Sequence, residues 1–286
     1  MVMRQPREVF AQIKNTLQQA GIEDAAFDAK CLMEFVAGQE WRWRDTPLEQ
    51  EQCEQLMGLT AQRAQRYPLQ YLIGKWPFLD FELEVGPGVL IPRADTELLC
   101  ETAAQRLQGV SEPKVLDLCA GSGCVGLGIK RLQPTAQVTC LEKSPQALPY
   151  LQKNAAAALS ANAVTVVQGD VFDYQNELQP NSLDCVVSNP PYITHEEMQT
   201  LEPELSFEPN MALEAEQQGL LFYQHIAPAY YFAIKPGGFL AVEIGCAQGE
   251  AVKQIFLQAG YQSVEIFKDY GANDRVVMGR KPDKTV

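Results

Sequence analysis

Apolar residues recur at helical spacing through the first 74 positions. Val9, Phe10, Ile13 and Leu17 form one stripe that stops at Gly21; Phe27, Leu32, Phe35 and Val36 form a second that stops at Gly38. A third helix is predicted from "TPLE", with Thr46 as N-cap, Pro47 in the first turn and Glu49 closing a capping box, and it runs to about Arg66. Residues 1–74 therefore read as a small helical bundle, with Trp41 and Trp43 as packing or docking residues. Over 75–108 the texture changes. Phe81, Leu83 and Val85 alternate before "GPG", which predicts a β-hairpin and linker. From 109 to 286 strand-like runs ("KVLDLCA", "QVTCLEK", "VTVVQGD", "LDCVVSN", "GFLAVEIG") mostly alternate with helical patterns, the signature of a parallel sheet wrapped by helices. "SVEIFKD" and "DRVVMGRK" are joined only by "YGAN", so that last pair must run antiparallel.

Composition narrows the class. Of 286 residues, 46% are hydrophobic and 21% charged, as in an ordinary globular protein. No run approaches the ~20 apolar residues of a membrane span, and "MVMRQPREVF" has no signal-peptide core, so a cytoplasmic location is expected. The eight cysteines form no C-x-x-C pair and the chain has two histidines, His195 and His225. Neither a disulfide framework nor a metal site is expected. The net charge is −13, and residues 75–286 hold 15 basic against 26 acidic side chains. A surface that bound nucleic acid through phosphates would show the opposite balance.

The first strong chemical signal is "GSGCVG" after "KVLDLCA", a match to G-x-G-x-x-G. Asp117 lies near the end of that strand, and Gly121, Ser122 and Gly123 let backbone N–H groups approach a ligand at a helix N-terminus. Glu142 ends the next strand, where a carboxylate can accept from both hydroxyls of a ribose. Dinucleotides and S-adenosylmethionine both carry that ribose, so the pair specifies an adenosine-like ligand and no more. Asp170 ends the third strand, at the level where an adenine edge is read.

The fourth strand discriminates further. In "DCVVSNPPYIT" two prolines fix the backbone and leave the carbonyls of Asn189 and Pro190 rigidly aimed, while Asn189 adds a side-chain acceptor. Such a cluster suits an –NH2 group, and Tyr192 offers a flat face for a planar amide or base. Accepting both hydrogens of an amide favours a more pyramidal nitrogen whose lone pair can meet an electrophile. In-line transfer from a sulfonium methyl then needs positioning and electrostatics rather than a metal, a cysteine nucleophile or a strong base.

With these residues in place, the chain resembles the peptide chain release factor N5-glutamine methyltransferases over nearly its whole length. "YPLQYLIG", "VLIPRADTELL", "DLCAGSG", "NPPYI", "FEPNMAL", "PGGFLAVEIG" and "DYGANDRVVMGR" follow in the family's order. "NPPY" is shared with amino-directed DNA and RNA methyltransferases; its combination with "IPRADTE", "FEP" and "NDRV" is more specific. The resemblance implies an α/β fold with a Rossmann-like class I methyltransferase sheet, an antiparallel last strand and an N-terminal helical bundle. It divides the chain into a substrate-docking domain at 1–74, a hairpin and linker at 75–108, and a catalytic domain at 109–286. It implies that Cys119, Ala120, Gly121, Ser122 and Gly123, with Glu142 and Asn189, bind S-adenosylmethionine, and that Asp170 and Val171 lie at its adenine end. It further implies that Asn189, Pro190, Pro191 and Tyr192 hold the glutamine amide of a release factor's Gly-Gly-Gln loop, with Asn189, Pro190 and Tyr192 as the catalytic set and Arg93 to Glu97 nearby. The family has glycine where Cys119 stands and aspartate where Glu142 stands, and some relatives carry an aromatic residue at the position of Val171. The expected partners are release factors, with no stable nucleic-acid or membrane binding, and the expected state is a monomer.

Two other enzyme classes compete. A nucleic-acid amino methyltransferase would use the same "NPPY" but predicts a basic groove. A nicotinamide-dependent oxidoreductase is supported only by "GSGCVG" and predicts a second parallel half and an acid/base residue. A non-catalytic binding module would have little use for the acceptor cluster.

Overall fold

A computed structural model describes residues 4–158 and 164–283. The chain divides into two compact units, residues up to 75 together with 202–207, and residues 76–201 together with 208–286. No helix among the described residues is long and apolar enough to cross a membrane.

The first unit holds α1 (Pro6–Gln19), α2 (Ala25–Ala37), α3 (Gln50–Ala64) and α4 (Leu69–Ile73). On α1 the predicted stripe is the buried one: Val9, Ile13 and Leu17 are inside, and Phe10 stacks on buried Trp41 with ring centroids 5.0 Å apart. Trp43, by contrast, is exposed. On α2 the buried face is turned from the predicted one. Ala25, Asp28, Ala29, Leu32 and Met33 point inward, while Phe27 and Phe35 are about half exposed. The cause is a buried ion pair, in which Arg63 Nε donates to Asp28 Oδ2 over 2.6 Å and draws an acidic residue inside. The third helix also starts later than predicted, at Gln50 with Glu49 as N-cap and Gln52 completing the capping box. Leu48 is buried and bridges Arg4 in extended conformation, so the helix cannot begin at Pro47. Thr46 instead accepts from Arg44 Nε. Residues 202–207 join this unit through Glu204, which accepts from Arg63 Nη1 at 2.9 Å and Arg66 Nη1 at 3.2 Å, and through Phe207, edge-on to Tyr67.

In the second unit, the predicted hairpin is β1 (Lys75–Phe78) and β2 (Phe81–Glu84), and the linker leads into α5 (Glu97–Arg106). There follow β3 (Lys114–Leu118), α6 (Cys124–Leu132), β4 (Gln137–Glu142), α7 (Leu148–Ala158), β5 (Val164–Gln168), β6 (Leu183–Ser188), α8 (His195–Met198), α9 (Leu221–Tyr231), β7 (Ile234–Glu243), α10 (Gly249–Gln258), β8 (Gln262–Lys268) and β9 (Asp274–Arg280). The seven-stranded sheet has the order β5-β4-β3-β6-β7-β9-β8, with β9 antiparallel to both neighbours. The strands are buried on both faces. Val115, Cys185 and Val187 pack beneath α5 and α6; Leu116, Leu118 and Val186 pack beneath Tyr223, Ile226 and Tyr230 of α9 and Phe256 of α10. That double burial is why the strands read as nearly continuous apolar runs.

The chain winds from β3 outward through β4 to β5, then returns to place β6 on the other side of β3. Registers such as Leu118↔Ser188 and Glu142↔Gln168 bring the carboxyl ends of β3, β4, β5 and β6 to one edge. The split between β3 and β6 is the topological switch point where such sheets take their ligands.

Candidate active site at the sheet's carboxyl edge

A cavity of about 320 Å³ opens at this edge. Cys119, Ala120, Gly121 and Ser122 after β3, Glu142 at the end of β4, Asp170 and Val171 after β5, and Asn189 and Pro191 after β6 all line it. Gly123, Pro190 and Tyr192 are not in its wall.

Beneath the glycine loop, Asp117 is fully buried and faces α6 rather than the cavity. Its Oδ2 accepts from the Gly126 N–H over 2.8 Å, its Oδ1 has no partner among the described residues, and burial pushes the carboxyl up to about 8. A Cβ on Gly126 would lie 2.4 Å from Cys140 Sγ, so the last glycine of "GSGCVG" is set by helix–sheet packing. Gly123 has φ +86°, and a Cβ there would meet Leu151 Cδ1 at 2.5 Å, so it shapes the turn from behind. Cys119 adopts a left-handed φ of +59° on the cavity wall. Burial raises its thiol pKa and pushes that of Cys124 up to about 12, so both are neutral packing groups.

Glu142 Oε2 accepts from Gly121 N–H at 2.7 Å and Oε1 from Ser144 N–H at 2.6 Å. The carboxylate is thus clamped to the loop, and each oxygen keeps a lone pair for a diol. At the third strand, burial works against the charge of Asp170. The Lys143 ammonium at 2.7 Å and the Phe172 N–H at 3.0 Å outweigh it and hold the carboxyl below its ordinary value. The Val171 carbonyl accepts from Tyr230 Oη at 2.8 Å, and His225 Nε2 lies 3.1 Å from it. Phe172 and Phe222, with ring centroids 5.3 Å apart, add an aromatic wall to this end of the cavity. Neither carries a motif in the sequence: Phe172 sits beside Val171, and Phe222 arrives from α9, where nothing in its neighbourhood marks it.

At the fourth strand, Asn189 Nδ2 donates to Thr96 Oγ1 over 3.3 Å, which turns the amide oxygen away from that contact. The carbonyls of Asn189 and Pro190 accept no hydrogen bond among the described residues. The carbonyl of Tyr192 is instead occupied by Gln248 Nε2 at 3.0 Å. The Tyr192 hydroxyl donates to Glu243 Oε1 at 3.2 Å, and burial, reinforced by that carboxyl, raises the phenol's pKa. Glu243, at the end of β7, is 1% exposed. Burial pushes its carboxyl up to about 7 against the opposing pull of Thr96, Arg275 and Tyr192, and its Oε2 has no partner among the described residues. Three further contacts lie on one segment, residues 91–95: buried Glu208 accepts from Ile91 N–H at 2.9 Å and pairs with Arg93, and Arg275 pairs with Asp95 at 3.1 Å.

These residues fit an adenosine-bearing methyl donor: a clamped carboxylate for a ribose, an apolar and aromatic wall for a base, and free acceptors beside them. Beyond β3 two parallel strands, β6 and β7, give way to an antiparallel pair, so among the described residues the second half that a dinucleotide site takes is not completed in parallel.

Two family descriptions match the chain, the PrmC N-terminal domain over residues 8–74 and the Methyltransferase small domain over residues 94–214. A release factor glutamine methyltransferase of Geobacter sulfurreducens is 36% identical over 279 residues, covering 96% of each chain. One of Salmonella typhimurium is 38% identical over 257 residues, covering 88% of this chain and 91% of its own. Among solved structures, a methyltransferase from Pyrococcus furiosus superposes with a TM-score of 0.50 at 16% identity, over 70% of this chain and 88% of that one, a likeness of fold.

Proposed function

The chain belongs to the release factor glutamine methyltransferase family, and from that membership we propose that its cavity binds S-adenosylmethionine and presents a release-factor glutamine to it. The reaction moves one methyl group to the N5 nitrogen of the glutamine in the Gly-Gly-Gln motif, and the amide gives up one proton. The observation that carries the site assignment is the set of acceptors on Asn189 and Pro190 that have no partner among the described residues, beside a cavity lined by Glu142 and the glycine loop.

S-adenosylmethionine, when bound, supplies an electrophilic sulfonium methyl. Among the residues lining the cavity, Glu142 would hold its ribose, Cys119 to Ser122 would form the cradle, and Val171, Phe172 and Phe222 would wall its adenine. Asn189 and Pro190 accept the two amide hydrogens of the glutamine, which turns the nitrogen lone pair outward and reduces its delocalisation. Their preset orientation means little reorganisation accompanies transfer. The excess of acidic side chains in residues 75–286 opposes the reading in which the same cluster grips a base of nucleic acid. Incubation with methyl-labelled S-adenosylmethionine, a purified release factor, DNA and RNA tests the assignment. Label in the release factor supports it; label confined to nucleic acid overturns it.

A further inference from the structure

We propose that Gln248, at the start of α10, is a positioning residue for the transfer step: its side-chain amide ties down the backbone of Tyr192 and so helps to set the direction of the acceptors on Asn189 and Pro190. The inference rests on the amide grip proposed above.

The two prolines leave one torsion open each. Their rings fix φ at 190 and 191 but not ψ, so where the Pro190 carbonyl points also depends on how the segment is tied at its ends. The upstream end is β6, where Ser188 lies in register with Leu118 and its Oγ donates to the Leu118 carbonyl over 2.8 Å. The downstream end is Tyr192. Its carbonyl accepts from Gln248 Nε2 over 3.0 Å, and the following Ile193 N–H donates to the Leu213 carbonyl over 2.9 Å. The ring is held separately, by the hydroxyl on Glu243 Oε1 at 3.2 Å. Both Glu243 and Gln248 come from the turn between β7 and α10, so one short stretch of chain grips Tyr192 at its side chain and its backbone.

The surroundings of the Gln248 amide accept a single orientation. Oε1 faces the Gly245 N–H at 3.0 Å, a group that can only donate, and the Tyr223 hydroxyl at 3.4 Å. Nε2 faces two carbonyls, that of Tyr192 at 3.0 Å and that of Gly219 at 3.5 Å. Flipped by half a turn, the amide would set its oxygen against two carbonyl oxygens and its –NH2 against an N–H. The contact also has a cleared space. A Cβ at Gly219 would lie 2.2 Å from the Tyr192 oxygen and 2.5 Å from Gln248 Nε2, so a larger residue there would displace one or the other. The base of the side chain is fixed as well, because Gln248 is the N-cap of α10 and its carbonyl accepts from the Val252 N–H at 3.0 Å.

The test is steady-state methylation of a release factor, with S-adenosylmethionine affinity by calorimetry and a thermal melt for each variant. Gln248→Glu keeps the length and the acceptor for Gly245 but, ionised, cannot donate to the Tyr192 carbonyl. Gln248→Met keeps the reach and removes both functions. In each, kcat per cofactor-binding chain should fall about 10- to 100-fold, while cofactor affinity and the KM for the release factor stay within about twofold. If one variant does not fold, the other carries the test. The parent's kcat in either folded variant, or a loss that lies in cofactor affinity or KM with kcat intact, overturns the inference. Failure of both variants to fold makes Gln248 a residue of stability and overturns it too. Wild-type protein that fails to methylate the factor overturns the functional reading beneath it.

Discussion

At Asp117 a carboxyl is shut away under the glycine loop with one oxygen unpartnered, and burial raises its pKa from 3.8 to about 8. A raised acid favours the folded state when protonated. Its stabilising contribution is therefore fully present below about pH 4 and is lost as pH climbs through about 8. Asp117→Asn mimics the protonated form and can still accept from Gly126. Thermal melts should show a smaller loss of stability between about pH 6 and about pH 9 in the variant than in the parent; an equal or larger loss would mean that Asp117 is not held neutral. At Asn189, removal of the acceptor by Asn189→Ala should abolish transfer, while calorimetry shows S-adenosylmethionine binding weakened but not lost, since Glu142 and the glycine loop stay in place. Residues whose task is local were legible in the sequence: the glycines of the turn, Glu142 at its strand end, the rigid Asn189–Pro190–Pro191 run. The stretch from Arg93 to Glu97 is expected near the site, but the contact of Thr96 with Asn189 is not legible, nor are Phe222 and Glu243, because each meets its partner far along the chain.

Among the elements, the contact of α6 with the sheet sets the glycine loop, which runs directly into the N-terminus of α6. A Cβ at Gly126 would lie 2.4 Å from Cys140 Sγ, 2.9 Å from Asp117 Oδ2 and 3.2 Å from Val138 Cγ1, so Gly126→Ala must lift the helix. The expected cost is about 1–3 kcal/mol in a urea melt, with weakened cofactor binding. Adding Cys140→Ala frees the space and should return part of both; no recovery would place the strain elsewhere. The strands were legible because burial on both faces leaves apolar runs with turn residues at their ends. The orientation of α2 was not, because the Arg63–Asp28 pair overrides a ranking by residue type. Nor was the start of α3, which depends on Leu48 pairing with Arg4.

Across the whole molecule, the motifs that are scattered along the sequence meet around one site. "IPRADTE" touches "FEP" through Arg93 and Glu208, "NDRV" through Asp95 and Arg275, and "NPPY" through Thr96 and Asn189. The sequence displays them as separate strings in a fixed order; only the crossover that sets β6 beside β3 makes them neighbours. The net charge of −13 belongs to this scale too. It favours a protein substrate, and the chain should show no retention on duplex DNA at about 0.15 M salt, where ionic screening acts beyond ~8 Å. The central claim, glutamine N5-methylation at a site built from Asn189 and Pro190, is met most directly by mass-spectrometric mapping of a release factor after reaction with the intact chain and S-adenosylmethionine. One added methyl on the glutamine of the Gly-Gly-Gln motif, lost with Asn189→Ala, is the result expected. A methyl on any other residue, or the same glutamine modified at full rate by Asn189→Ala, would contradict it.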